Sequence, residues 1–191
     1  MAYFRDLEDQ NVREDEHEGV SVYHPTEGLQ INNQTQKTQF TMKDFSFEAR
    51  VKQKEIFVYC VSRLLSDELR GRFKAVACVE ILKTPTLCER MKIALPHTAI
   101  FRAGRVEYYH RSEGPTPRYA LPDLIARSKF DSYRWQSEFR FLFSLTDALE
   151  FEKAEYRFVK GEAREGPKPE EHIKYLVATR SLRDICRQHI F

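Results

Sequence analysis

Membrane and export signals are absent from this 191-residue sequence. No apolar run approaches the roughly 20 residues that a membrane-spanning helix requires. The N-terminal stretch, MAYFRDLEDQ, carries acidic residues and lacks the apolar core of a secretory signal. We therefore expect a cytoplasmic protein that has no membrane partner.

Cysteine is scarce, and its spacing argues against the common cysteine-based sites. No two cysteines form a C-x-x-C pair, and none lies at a zinc-finger spacing from a histidine. The pattern predicts that there is no zinc site, and in a reducing cytosol it predicts free thiols. The four cysteines are Cys60, Cys78, Cys88 and Cys186.

Motifs that bind nucleotides or activate a serine are also missing. The sequence has no G-x-G-x-x-G and no P-loop, so neither a dinucleotide-binding Rossmann domain nor a P-loop nucleoside triphosphatase is supported. There is no G-x-S-x-G elbow, so a serine hydrolase has little support. The single tryptophan and the scattered aromatic residues do not match an RNA-recognition signature.

The composition that remains is typical of a globular domain. Hydrophobic residues make up 41% of the chain and charged residues 31%, which argues against disorder. The length suffices for one domain with a substantial core, and we predict a single domain over residues 1–191.

Short apolar runs separated by polar segments predict many strands. The run EIFVYCVS (55–62) is β-branched, aromatic and almost wholly apolar, which predicts a central strand. AVACVEI (75–81) predicts a second buried strand, and EFRFLFS (138–144) alternates, so its three phenylalanines share one side. Further strands are predicted at AYFRDL, GLQI, RVEYYH (105–110) and HIKYLVATR, and loops at 8–27, NNQTQKTQ and 160–171.

Three segments predict helices, and DLIARSKF (123–130) predicts a helical turn. Ser66 is a suitable N-cap for SDELRGRF, which has acidic residues in its first turn. Thr84 can cap TPTLCERMKIAL, where a proline follows at the first helical position. SLRDICRQHI predicts a C-terminal helix that Ser181 caps, with Asp184 three residues later. Together the elements predict an α+β fold with a mixed, mostly antiparallel sheet and a few short helices.

Charge is unevenly distributed along the chain. Residues 1–27 contain eight acidic and two basic residues, a net charge of −6, which leaves +8 for the remainder. A basic body can attract nucleic acid. One alternative function is therefore a non-catalytic module that binds nucleic acid or protein through a basic face, with the arginine-rich segments 102–118 and 127–140 as its contact region. The other interpretation is a solvated surface.

Metal chemistry is a weaker alternative. The stretch EDEHEG could bind a metal through Asp15, His17 and Glu18, although a solvated loop is the simpler interpretation. A metal-dependent nuclease would need clustered carboxylates, and the sequence gives no reason to expect a cluster, so we predict no metal. The carboxylates that such a nuclease could use are Glu80, Asp123 and Glu138.

Three sparse elements follow one another along the chain. They are Arg5 in YFRD, Ser62 at the end of FVYCVS, and Gln136-Ser137-Glu138 at the entry to a late strand. In this order they resemble the R-S-E class of the ADP-ribosyltransferase superfamily, which includes compact bacterial toxins and antiphage defence effectors. The usual S-T-S reads CVS here, so only its last serine matches.

A second resemblance covers the same region. The chain is similar to uncharacterised bacterial families that open with an arginine followed by an acidic-Gly loop, here HEG, and later carry K-x-x-x-Y-x-x-Q-x-E-x-R. The two resemblances together span residues 3–144. The residues that fit the second motif are Lys129, Tyr133, Gln136, Glu138 and Arg140.

The first resemblance implies an ADP-ribosyltransferase-like fold and a reaction on NAD, which would be a substrate. NAD would lose nicotinamide, and ADP-ribose would pass to a macromolecular acceptor, which could be protein, RNA or DNA. Glu138 would stabilise the oxocarbenium-like transition state, and Gln136 would orient the acceptor. The toxin likeness also implies an inhibitory antitoxin partner.

Other residues would bind NAD in this interpretation. Arg5 would hold the pyrophosphate or the adjacent ribose, because a guanidinium makes bidentate bonds to phosphate oxygens. Ser62 would lie near the nicotinamide ribose. Tyr133 or Phe139 would stack on the nicotinamide ring.

Each of these residues also has a purely structural interpretation. Arg5 could pair with a neighbouring acid on the surface. Ser62 could cap the end of its strand. Glu138 could pair with Arg140 or Arg134 across the strand face. An exposed ion pair of this kind stabilises the fold by about 0–1 kcal/mol.

Overall fold

The computed structural model describes residues 17–114, 116–150, 154–161 and 181–191 as an α+β structure of mostly antiparallel strands with a few short helices, as predicted. The predicted strands AYFRDL and HIKYLVATR lie outside the described residues. The strands are β1 (Val20–Tyr23), β2 (Leu29–Asn33), β3 (Thr38–Met42), β4 (Phe45–Arg50), β5 (Ile56–Ser62), β6 (Ala77–Ile81), β7 (Ile100–Arg105), β8 (Glu107–Tyr109), β9 (Ser128–Phe130), β10 (Glu138–Ser144), β11 (Glu155–Lys160) and β12 (Cys186–Ile190).

Two three-stranded antiparallel sheets form the centre of the structure. One has the order β1-β4-β11 and the other the order β5-β10-β7. The described chain also has two antiparallel ladders, β2-β3 and β12-β6, and one parallel pair, β8-β9. Strand β10 begins and ends where the sequence predicts, because its alternating phenylalanines suit a strand with distinct faces.

The side chains on the two faces of β10 belong to separate hydrophobic clusters. Leu142 packs with Ile56, Ala126 and other apolar residues on one side, and Phe141 packs with Leu87 and Ile185 on the other. Leu142 and Phe141 are completely buried. A fully buried side chain of this size contributes about 1.5–3 kcal/mol relative to an exposed one.

The prediction that EIFVYCVS is central is wrong. Strand β5 lies at the edge of its sheet in the described chain, and β10 lies in the middle. The residues of β5 are mostly half-buried, and Tyr59 is 43% exposed. An apolar strand can therefore occupy an edge when each of its faces is covered only in part.

Two helices form in the segments that the sequence predicts, but only the first has the predicted cap. In α1 (Asp67–Phe73), the Ser66 side chain accepts a hydrogen bond from Leu69 N, as predicted. In α2 (Thr84–Ala94), Thr84 is the first helical residue and makes no capping bond, so its predicted role is wrong. A short third helix, α3, covers Pro122–Ala126.

The C-terminal segment is a strand rather than the predicted helix. Residues 186–190 form β12, which pairs with β6. The Asp184 carboxylate receives two hydrogen bonds from Arg90 of α2, at 2.6 and 2.5 Å, and Ser181 Oγ accepts from Arg183 N. Asp184 of the apparent capping box therefore binds a distant arginine, whereas the Ser181 hydroxyl makes a local bond.

Two segments that predicted loops contain strands. The polar stretch NNQTQKTQ is the tip of the β2-β3 hairpin, because the Asn33 side chain accepts hydrogen bonds from Thr35 N and Gln36 N, and Lys37 adopts a positive φ of 51°. Strand β1 lies within the predicted 8–27 loop.

Strand β6 is more exposed than predicted. Val79 is 65% exposed, and Val76, which precedes the strand, is 78% exposed. In the part of the chain that the structure describes, no helix is long and apolar enough to cross a bilayer.

Candidate functional site

Ser62 and Glu138 lie side by side on neighbouring strands. Antiparallel pairing of β5 with β10 makes Glu138 the direct partner of Ser62. Directly paired residues project from the same face of a sheet, with Cβ atoms about 4.5–5.5 Å apart. The prediction that the end of β5 meets the start of β10 is confirmed.

The Glu138 carboxylate is bound by two cations through one of its oxygens. Lys129 Nζ and Arg140 Nη2 each lie 3.2 Å from Oε2. The Glu138 side chain is 13% exposed, so the two cations anchor a carboxylate that is largely but not completely buried.

Arg140 lies at the buried centre of a charged group that also contains Glu18, Lys129 and Glu138. It is completely buried, and it contacts Glu18 at 2.9 Å, Glu138 at 3.2 Å and the carbonyl oxygen of Ala126 at 2.6 Å. A buried guanidinium needs such partners, because an unpaired charge in the interior costs several kcal/mol. Arg140 therefore connects carboxylates from two distant parts of the chain.

The turn before β1 positions Glu18. Gly19 has a φ of 73°, and a side chain there would meet the Gln53 side chain at 2.9 Å, so glycine suits both the backbone and the space. Gln53 donates a hydrogen bond to the Glu18 carbonyl oxygen, and Val51 N donates to Gly19 O at 3.1 Å. The HEG sequence thus forms an anchored turn that directs Glu18 inward.

A short 3₁₀ helix, Asp131–Gln136, arranges the next group of side chains. Residues three apart in a 3₁₀ helix share a side, as Tyr133 and Gln136 do here. Lys129 Nζ lies 5.0 Å from the Tyr133 ring centre and donates to Gln136 Oε1 at 2.7 Å. Ser137 then adopts a left-handed φ of 44°, which ends the helix and begins β10.

Two hydroxyl groups contact the backbone beside Glu138. The Tyr108 hydroxyl accepts a hydrogen bond from Glu138 N at 2.8 Å, and Ser62 Oγ donates to Gln136 O at 2.9 Å. Burial is the main cause of the raised pKa of Tyr108, which keeps this hydroxyl neutral. These bonds fix the backbone from which Glu138 projects.

The electrostatic balance keeps Glu138 ionised. Burial is the largest single influence and raises its pKa, but Arg140 and Lys129 together outweigh burial, and the net pKa lies below the ordinary value. Beside Arg140, burial raises the pKa of Cys60 to about 12, although Arg140 opposes this effect. Cys60 is therefore a neutral, unreactive thiol.

The structure brings together most of the residues that the sequence singles out. Ser62, Tyr133, Gln136 and Glu138 all lie in this group, while Arg5 lies outside the described residues. The Gln136 side chain is buried and bonded to Lys129, so it faces the charged group.

The alternative stacking residue lies on another face. The Phe139 ring packs against Phe141 at 5.1 Å, in the cluster on the opposite side of β10 from Glu138. Phe139 therefore packs with apolar residues of this cluster rather than beside Glu138.

The metal alternatives find no support among the described residues, where no group of three or more histidine, cysteine or acidic side chains could bind a metal ion. The His17-Glu18 turn is buried rather than solvated. Glu80 pairs with His189, and Asp123 pairs with Arg127.

Several side chains of the basic segments 102–118 and 127–140 are buried. Arg118, Lys129 and Arg140 are buried, and Arg134 pairs with Asp131 at 2.5 Å. Within the described chain this weakens the case for a continuous basic face across residues 102–140, although Arg102 and Arg105 remain exposed.

Sequence reasoning missed two contributors to the site. Glu18 was considered as a metal ligand and as part of the acidic-Gly loop HEG, but not as a partner of Arg140. Tyr108 has no local signal, because its contact with Glu138 N spans 30 residues.

A scan against family models found no match, and searches of curated proteins and of solved structures found none either. The likeness to ADP-ribosyltransferases therefore depends on the few residues quoted above.

Proposed function

We propose that this protein cleaves NAD at the bond between nicotinamide and ribose and transfers ADP-ribose to a macromolecular acceptor, with Glu138 as the catalytic carboxylate. The observation that carries the proposal is the anchored carboxylate of Glu138, whose Oε2 is bound by Lys129 and Arg140 and whose strand partner is Ser62. A carboxylate that is ionised and fixed in orientation suits the stabilisation of positive charge.

The proposed reaction is a substitution at the ribose C1′ atom. The C1′–N bond breaks, its electron pair leaves with neutral nicotinamide, and positive charge develops on the ribose. The negative charge of Glu138 lowers the energy of that state. A nucleophile of the acceptor, or water, then bonds to C1′ and loses its proton.

Lys129 and Arg140 act as positioning residues in this proposal. They contact Oε2 and keep the pKa of Glu138 low, so the carboxylate is held ionised in a fixed orientation. Ser62 provides a hydroxyl on the same sheet face, and Arg5 would bind the phosphates of NAD, as the family resemblance implies.

The test compares Glu138→Gln with a matched control, Glu48→Gln. Glu48 is also a strand glutamate paired with an arginine two residues later, and it is buried. We expect Glu138→Gln to lower nicotinamide release and ADP-ribose transfer to protein and nucleic-acid fractions of a lysate by at least about 10²-fold. Glu48→Gln should leave the activity of the folded protein unchanged.

A second variant guards against loss of folding. Glu138→Asp keeps the charge but withdraws the carboxylate by one methylene, so the chain should fold while activity falls. The proposal is overturned if the parent protein releases no nicotinamide and does not bind millimolar NAD, or if Glu138→Gln is as active as the parent. Arg5→Ala should weaken NAD binding more than Glu138→Gln does, because phosphate contacts act in the ground state.

A further inference from the structure

A cleft of about 960 Å³ shares no lining residue with the candidate site formed by Glu18, Ser62, Lys129, Gln136, Glu138 and Arg140. Three regions line it: strand β2 with the turn before it, aromatic side chains of the β1-β4-β11 sheet, and the segment 112–120. None of the residues that contact Glu138 is among the residues that line this cleft.

One wall of the cleft is the backbone edge of β2. Side chains alternate along a strand, so a groove that follows one face is lined by every second residue. Here the consecutive residues 28–32 all line the cleft, which shows that it runs along the edge. In the described part of the chain β2 pairs only with β3, so its outer edge presents N–H and C=O groups that no strand pairs.

The facing wall is aromatic. Phe47 lies at its centre, with ring centres 5.7 Å from Tyr119, 5.9 Å from Tyr156 and 5.6 Å from Phe158. Tyr156 and Phe158 are 51% and 57% exposed, so much of their apolar surface is uncovered.

The charge of the residues that line the cleft restricts which ligands can bind there. Among the described residues that line the cleft, Glu27 is the one that carries a charge. A phosphate-bearing ligand would be repelled by this carboxylate and would find no cation among those described residues, whereas a neutral or basic ligand is matched.

We propose that the cleft binds an extended segment of a partner protein, which pairs with β2 as a third strand. Main-chain hydrogen bonds to an exposed edge, combined with pockets for alternate side chains, are the features of strand addition. Alternate apolar side chains of the segment insert among Phe47, Tyr156 and Phe158, and a basic side chain faces Glu27. This proposal does not depend on the reaction at Glu138.

The test selects peptides on the intact chain from a displayed library of random ten-residue sequences. The recovered peptides are synthesised, and their binding is measured by fluorescence polarisation. We expect alternating apolar residues in the recovered sequences, and a loss of at least about tenfold in affinity when alternate backbone amides of the peptide are N-methylated.

Matched variants locate the binding surface. Tyr156→Ser and Phe158→Ser should each weaken binding by at least about tenfold, as expected for aromatic anchors. Phe40→Ser is the control, because Phe40 is 50% exposed on β3 and does not line the cleft, and it should bind within about twofold of the parent.

Three outcomes would overturn the proposal. The first is that no peptide is enriched over beads without protein. The second is that the peptides bind Tyr156→Ser and Phe158→Ser as tightly as the parent. The third is that adenosine monophosphate displaces the peptides and depends on the same two aromatic residues, which would make the cleft a nucleotide site.

Discussion

Three described strands carry a glutamate followed two residues later by an arginine, and two of them, β4 and β10, bury opposite members of the pair. In β4 the Glu48 side chain is 1% exposed and Arg50 is 18% exposed, whereas in β10 Arg140 is completely buried and Glu138 is 13% exposed. Both strands lie in the middle of a three-stranded antiparallel sheet. The same local pattern therefore has two different electrostatic outcomes.

The position of the pair along its strand explains the difference. Glu48 is the fourth residue of β4, and Arg50 binds it through two contacts of 2.6 and 2.7 Å to one oxygen. Glu138 is the first residue of β10, where the strand emerges from the core, and Lys129 joins Arg140 in binding it. A carboxylate at a strand end stays accessible, so location distinguishes the candidate site from a structural ion pair.

The largest stability effect should come from removal of the buried arginine. Arg140→Met leaves Glu18 and Glu138 without their shared partner, and we expect the free energy of unfolding to fall by about 3–5 kcal/mol. Arg50→Met should cost less, about 1–3 kcal/mol, since Arg50 is partly exposed and one carboxylate loses its partner. Urea denaturation of both variants measures the difference, and equal losses would remove the distinction between the two pairs.

An intermediate effect should come from one serine in each sheet. Ser46 Oγ is buried, donates to Gly161 O at 2.7 Å and bonds His24 Nδ1 at 2.8 Å. Ser46→Ala should cost about 1–3 kcal/mol, because buried partners lose their bonds. Ser62→Ala removes two bonds near the surface, to Gln136 O and from Leu64 N, and should cost about 0.5–1.5 kcal/mol. Thermal denaturation tests this order, and a larger loss for Ser62→Ala would contradict it.

The smallest effect should be the titration of Glu138. Its pKa is lower in the folded chain than its ordinary value, since Arg140 and Lys129 outweigh burial. The resulting stabilisation is complete above the unfolded pKa of about 4.3 and is lost as the pH falls through the folded pKa. From pH 7 to pH 3 the parent should therefore lose more stability than Glu138→Gln, as measured by urea midpoints. Parallel curves would show that the two cations do not stabilise the ionised carboxylate.

Prediction from sequence succeeded where local patterns dominate. Strand β10 and the capped helix α1 follow from the alternation of phenylalanines and from Ser66 ahead of two acidic residues. The helix predicted for residues 181–190 failed, because Asp184 binds an arginine 94 residues away and the following residues pair with β6. The polar hairpin was missed because its turn depends on side-chain bonds of Asn33 rather than on apolar periodicity.

By itself the sequence determined the α+β class, the bounds of several elements and the residue types at the candidate site. Only the tertiary structure decided that Ser62 and Glu138 are strand partners, that Glu18 reaches Arg140, and that β5 lies at a sheet edge. The physical reason is that local propensities act over a few residues, whereas strand register and the burial of charge depend on contacts between segments far apart in the chain.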